Sequence, residues 1–462
     1  MMTVHPRFFS RALKSFVIVG FGAFLFGCQE SAPETQAITL KIAGVMPVFF
    51  EAQYGNSIRT ENYDITIEFV PYELIPRDGG PSENLENLYS SFQPDVVNWS
   101  GALSPLIDQG LLAPLDVYIQ KSGFDASVIP DVLKQRITKE GSNEIYAIPN
   151  RFSTEALFYN RSMLDQFEIE LSDASPLSWE QLFQLAAIVP PEDGQGNAII
   201  RLLETGEDES DANKLFSLIR IAALAENLQA INKDNGDVYV NSSSWQKLWQ
   251  TFIAAFNQKL ISSSEDIKPF IEQLDDEQSL RMDDVHRFKP FTDGRAAFVL
   301  GNSELLFYLQ REELDFEWGI APQPGTYQVF TQLAEALLIN PSSEHKDAAW
   351  ELISYLSSAE QTQRFLLAKP GDANQLFSNF PMHMDLLEQH LNRSLAPFYN
   401  QPSSQESYFD ASPLPDVLSL AIYESSLSLI EEVLKESLSV EEALEQLQVK
   451  LESISAELFE GE

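Results

Sequence analysis

The sequence predicts an α/β fold, and three observations lead there. Short apolar runs of strand length alternate along the chain with longer amphipathic stretches, the pattern of mainly parallel sheets flanked by helices. Of 462 residues 44% are apolar, with 31 Phe, enough for a large core, and the length suits two or three domain-sized units. There is a single cysteine, so no disulfide framework exists and ordinary packing must hold the fold.

The elements follow in order. Ile38 to Val45, "ITLKIAGV", reads as a first strand, and "YDITIEFV" alternates Ile65, Ile67 and Phe69 at period two. "PDVVNW", Pro94 to Trp99, is a short buried strand, followed by a helix ending at Gly110, a left-handed cap. "EIYAIP" and "EALFYN" give two more strands. Ser178 with Gln181 forms a capping box ahead of "WEQLFQLAAIV". Between Pro190 and Asn213 the chain is rich in Gly, Asp and Glu and reads as a surface insertion. "GRAAFVLG", "FEWGIAP" and "AEALLIN" are further strands. After Pro341 a helix places Ala348, Leu352, Tyr355 and Leu356 on one face. The last helix opens with a box from Ser439 to Glu442.

The start of the chain has a different character. Residues 1–14 carry Arg7, Arg11 and Lys14 and no acid, and Ser15 to Gly27 are almost wholly apolar. That run is too short to span a bilayer, which takes roughly 20 residues, so residues 1–27 read as a secretory signal. Leu25, Phe26, Gly27 and Cys28 resemble the bacterial lipobox. The resemblance implies cleavage before Cys28, whose thiol then carries a diacylglycerol and whose amine is open to acylation by a chain such as palmitate. Each buried CH2 contributes about 0.8 kcal/mol, so two or three chains anchor durably. Residues 28–37 form a polar tether, and the expected location is the outer face of the cell membrane, extracellular or periplasmic. A net charge of −39 argues against nucleic acid and against electrostatic docking to anionic lipid; it is the charge of a solvated surface.

No catalytic constellation stands out. "GFGAFLFG" fails the GxGxxG spacing and lies in the signal. The histidines, His5, His286, His345, His383 and His390, show no metal-ligand spacing, and no GxSxG elbow occurs. The expectation is a non-enzyme without cofactor or metal.

A set of phrases in fixed order then carries a family resemblance. "PDVVNWSGALSPLIDQGLLAPLD", "YAIPNRFSTEALFYNRSML", "LSWEQLFQLA", "FTDGRAAFVLGNSELLF", "WGIAPQPG", "AEALLINPSSEHKDAAWELISYLSSAEQTQRFL" and "SVEEALEQLQ" together resemble the extracellular solute-binding proteins of family 1, the maltose-binding type that serves ATP-binding-cassette (ABC) importers. The resemblance implies a two-lobed, type II periplasmic-binding-protein-like fold with lobes joined by crossing hinge segments. Lobe one would comprise residues 38–155 and 322–368, and lobe two residues 156–321 and 369–462. A small solute, most readily a sugar or oligosaccharide, would bind between them and pass to permease subunits of an ABC transporter, the receptor itself being a monomer.

Site residues carry over position by position. Trp99 falls on a tryptophan that lines the sugar site, where an indole stacks on a pyranose; core packing is its alternative. Glu155 falls on a crossing glutamate that accepts sugar hydroxyls, or else is a solvated hinge charge. Asn150 and Arg151 stand beside the crossing as donors to ligand or as hinge pins. Tyr423 falls on an aromatic of lobe two, with packing as its alternative, and Trp318 reads as packing. Departures are plain: Glu304 replaces a stacking tryptophan, Ala102 an aspartate, and Gln332 and Leu333 stand near a missing glycine pair. If Glu304 faces the cleft, it suits a hydroxyl-rich or cationic ligand and repels an anion. A peptide or polyamine cargo, a lipid-anchored polysaccharide hydrolase and an adhesive or signalling lipoprotein remain the competing readings.

Overall fold

The computed structural model describes residues 38–55, 58, 65–77, 79–139, 141–205, 210–272, 287–367, 379–404 and 414–459. The expected signal, Cys28 and the tether lie outside them. Two mixed sheets organise the chain. Sheet one contains β1 (Ile38–Ala43), β2 (Ile65–Phe69), β3 (Val96–Trp99), β4 (Ile148–Ser153), β9 (Gln332–Ile339) and β10 (Phe380–Pro381) in the order β10-β4-β9-β3-β1-β2. Sheet two contains β5 (Ala156–Asn160), β6 (Ile200–Leu203), β7 (Ala296–Gly301) and β8 (Trp318–Ala321) in the order β6-β7-β5-β8.

Register sets which ends of the strands coincide. β1 runs parallel to β2 and β3, while β9 lies antiparallel between β3 and β4, pairing Trp99 with Ala336 and Ile148 with Leu337. The carboxyl ends of β1, β3 and β4 therefore share one edge. In sheet two β6 and β7 are parallel, and β5 is antiparallel to β7 with Ala156 opposite Gly301. Every residue of β5 is buried, which fits the apolar run from Ala156 to Tyr159 and the strand's central place.

Most elements stand where the sequence puts them. Gly110 follows the Ser104–Asp108 helix in the left-handed conformation. Both capping boxes form: Ser178 Oγ accepts from Gln181 N and Gln181 Oε1 from Ser178 N, and Ser439 and Glu442 do the same at Val440–Phe459. Two readings change. The strand read at "EIYAIP" begins at Ile148 and runs to Ser153; Pro149 has no N–H to give, and the β4–β9 ladder bulges there. Within the stretch read as an insertion, Ile200–Leu203 is a strand paired with β7. Its approach is a surface turn, where Asp193 takes Arg295 and the amides of Gln195 and Asn197.

Two apolar clusters make the core. One fills sheet one and continues onto a face of sheet two through Phe158, Phe288, Phe291 and Leu305. The other lies between the opposite face and the helices Asp211–Ala225, Ser243–Asn257, Asp416–Leu434 and Val440–Phe459. A chain of rings joins the sheets: Phe152 to Phe380 at 5.7 Å, Phe380 to Phe398 at 4.7 Å and Phe398 to Phe158 at 5.8 Å between centroids. Edge and tilted contacts of this kind contribute about 1 kcal/mol each beyond burial.

Beside that chain the polypeptide crosses between sheets, and the crossings are laced together. Thr154 Oγ1 donates to Phe398 O, Gln328 Nε2 to Glu155 O, and Gln401 Nε2 to Gln323 O and Gly325 O. Gln328 also forms a bridge with Ser403. The glutamines are buried, so each amide satisfies backbone groups that water cannot reach.

Candidate ligand site at the crossing

In open α/β sheets the space beyond the carboxyl strand ends is where loops diverge and ligands lodge. At that edge of sheet one a hollow of about 270 Å3 opens, bounded by Gly44, Tyr54, Asn98, Asn150, Arg151 and Glu335. Gly44 is there because its φ is +79° and because a Cβ would lie 1.9 Å from Asn98 O, so the β1 turn hugs β3 only as glycine. Met46 and Phe49, also on the rim, are exposed apolar side chains.

A polar network forms the floor. Tyr54 Oη accepts from Gln53 Nε2 at 2.8 Å and Asn150 Nδ2 at 3.1 Å, and Asn150 Nδ2 also donates to Glu335 Oε2 at 3.1 Å. Arg151 Nε lies 3.3 Å from Glu335 Oε2, and its guanidinium rests 4.1 Å over the Phe365 ring. Burial and the charge of Glu335 push the Tyr54 hydroxyl up to about 12, so it stays a neutral donor-acceptor at physiological pH. Trp99 ends β3 half-buried against the core, with Nε1 buried and without a hydrogen-bond acceptor, and Asn98 Oδ1 is likewise unpartnered.

Sheet two presents charge to the same crossing. Glu155 links β4 to β5, Glu204 follows β6, and Glu304 stands in the first turn of the Ser303–Arg311 helix after β7. Burial raises the Glu155 carboxyl to about 7; Glu204 and Glu304 push in the same direction and Arg287 opposes them. Burial, reinforced by the two neighbouring carboxylates and opposed by Arg287, leaves the Glu155 carboxyl part-protonated near neutrality.

The structure thus gathers Glu155 with Glu304, and Asn150 with Arg151, at the two sides of the crossing. Trp99 belongs to the sheet-one edge. Tyr423 lies on the Asp416–Leu434 helix, partly exposed, with its ring edge-on to Phe216 at 5.4 Å. Trp318 packs on Phe158 and under Arg393. Sequence reasoning missed Tyr54, Glu335, Glu204 and Arg287. Asn98 is the sequence neighbour of Trp99 in β3. Among the described residues no group of three or more His, Cys, Asp or Glu is placed to hold a metal ion, and no helix is long and apolar enough to cross a membrane.

Comparison with known proteins agrees with this architecture. The chain aligns over 92% of its length with the whole of the sugar-binding protein MalE from Xanthomonas citri, at TM-score 0.61 and 18% identity. A sugar transporter protein of Rhizobium etli in an open conformation matches at TM-score 0.57 and 15% identity, over 90% of this chain and 99% of that one. A solute-binding protein of an ABC transporter from Thermotoga lettingae, bound with alpha-D-tagatose, matches at 0.52 and 17%, over 90% of this chain and all of that one. At such identities the likeness is one of fold, the two-lobed type II binding-protein fold. The family model for bacterial extracellular solute-binding proteins covers residues 60–370, more than half of the chain, and the protein therefore belongs to the bacterial extracellular solute-binding protein family.

Proposed function

We propose that this protein is the receptor that captures a carbohydrate for an ABC importer and is held at the membrane by lipid on Cys28. Its lobes on this reading are residues 38–155 with 322–368 and residues 156–321 with 369–462. The observation that carries the carbohydrate class is the sheet-one edge: a hollow with the exposed side chains of Met46 and Phe49 on its rim and a floor of amide, phenol and carboxylate groups, the mixture that meets a sugar's apolar face and hydroxyl rim together. The sugar-binding and tagatose-bound relatives support the same class. Ligand touching both sides of the crossing would favour the closed arrangement by its differential affinity, and a permease would respond to that population shift. The acids Glu155, Glu204 and Glu304 favour neutral over anionic sugars; they also give a polyamine cargo a specific basis as the second reading.

A thermal-shift screen against mono- and oligosaccharides, amino acids, short peptides and polyamines tests the proposal, since ligand that binds only the folded state raises the melting temperature. A shift with one sugar class, absent in Trp99→Ala, supports it. A shift with polyamines alone moves the cargo to the second reading, and no shift with any solute overturns the receptor role. Metabolic labelling with palmitate, compared between the native chain and Cys28→Ser, tests the anchor.

A further inference from the structure

At the end of sheet two away from the crossing lies a second hollow. β5 finishes at Asn160, paired with Trp318 at the start of β8, so its edge is a strand's length from Glu155, about 17 Å at roughly 3.3 Å per residue. The hollow measures about 600 Å3 and is bordered by Arg161, Trp318, Asn392 and Arg393, with Glu312 and Glu317 on its rim. The Arg393 guanidinium lies 3.8 Å from the centroid of the Trp318 ring. Arg161 donates to Tyr159 Oη at 3.1 Å.

Neither arginine has an ion-pair partner among the described residues. In a chain with 69 acidic and 30 basic residues, two adjacent cations without a carboxylate are unexpected, because acids are in excess wherever a pair would help. Glu312 and Glu317 border the same hollow yet reach neither guanidinium within salt-bridge distance. The arginines repel one another: burial and the charge of Arg161 both lower the Arg393 pKa. Stacking on an indole leaves the edge of the Arg393 fork, with its N–H donors, open to a planar or tetrahedral oxyanion.

We propose that this hollow is an accessory binding site for a small molecule bearing an oxyanion, a carboxylate or a phosphate, held by Arg161 and Arg393 and lying apart from the acid-rich cleft. The anion neutralises the paired cations, and the site is independent of whichever solute the cleft takes.

The test uses the purified protein with sodium phosphate and, separately, sodium citrate, against sodium chloride matched in sodium and ionic strength. A saturable rise in melting temperature above the chloride control is expected, and Arg161→Gln combined with Arg393→Gln should abolish it. Response to phosphate alone or to citrate alone assigns the source of the oxyanion. Arg161 is exposed, so Arg161→Gln alone preserves the fold and should weaken the anion at least tenfold, while Arg393→Lys keeps charge but loses the fork and should bind weakly. The proposal is overturned if neither anion exceeds chloride, or if the response persists in the Arg161→Gln variant unchanged.

Discussion

The Glu155 carboxyl gives the sharpest test of the electrostatics at the crossing. Burial is the first cause of its raised pKa, Glu204 and Glu304 add to it, Arg287 opposes them, and the result is about 7 against an ordinary 4.5. A folded-state pKa above the unfolded one means that the fold prefers the protonated acid. The contribution to stability is therefore full below about pH 4.5 and is lost as pH rises through about 7. Each pH unit of displacement is worth about 1.4 kcal/mol, so the whole amounts to about 3 kcal/mol. Partial solvation of the side chain trims this to roughly 1–3 kcal/mol. Glu155→Gln keeps the shape and cannot ionise. Urea unfolding of both proteins at pH 5 and pH 8 should show the native protein losing about 1–3 kcal/mol more than the variant over that interval; other titrating groups cancel in the difference. Glu304→Gln should shift the transition to lower pH by removing one repelling charge. An identical loss from pH 5 to pH 8 in the native protein and Glu155→Gln would refute the reasoning.

Three further outcomes follow from named contacts. Trp99→Ala should leave the unliganded protein folded and weaken sugar binding about tenfold, the scale of one lost aromatic stacking face, read by titration calorimetry. Gly44→Ala forces an L residue into φ +79° with Cβ 1.9 Å from Asn98 O; more than about 2 kcal/mol of stability should go, and circular dichroism in urea measures it. Gln328→Ala removes the hydrogen bonds that the fully buried Gln328 amide gives to Glu155 O and takes from Phe330 N, which should cost about 1–3 kcal/mol, and hydrogen exchange should show the added opening concentrated at the crossings.

The fold was legible because its signals are local. Capping boxes at Ser178 and Ser439, a glycine after the Ser104–Asp108 helix and apolar runs such as Ala156 to Tyr159 each report a structure within a few residues of themselves. β6 escaped because its four residues sit between Gly- and acid-rich flanks, and a strand that short is set by its neighbour β7 more than by its own pattern. β4 starts later than its pattern suggests for a related reason: the apolar character of Tyr146 and Ala147 reflects packing, with Ala147 buried, whereas the ladder with β9 starts only at Ile148.

The site obeys a different rule. Trp99, Asn150, Arg151 and Glu155 are candidates because they lie in or beside phrases that the family resemblance aligns, not because their chemistry marks them. Glu204, Arg287 and Glu304 come from three separated stretches and acquire a shared electrostatics only when β6, β7 and the helix after β7 are brought to β5. Among 69 acids no pattern singles out two whose neighbour will titrate near neutrality. The same holds for Arg161 and Arg393, which no spacing connects and which meet only through β8 and the turn after the Met384–Leu391 helix. Sequence periodicity reports the face on which a residue lies within its own element; which charges share a hollow is decided by the order β6-β7-β5-β8. Topology therefore sets where the charges of this chain converge, acidic at the crossing and basic at the far end of the same sheet.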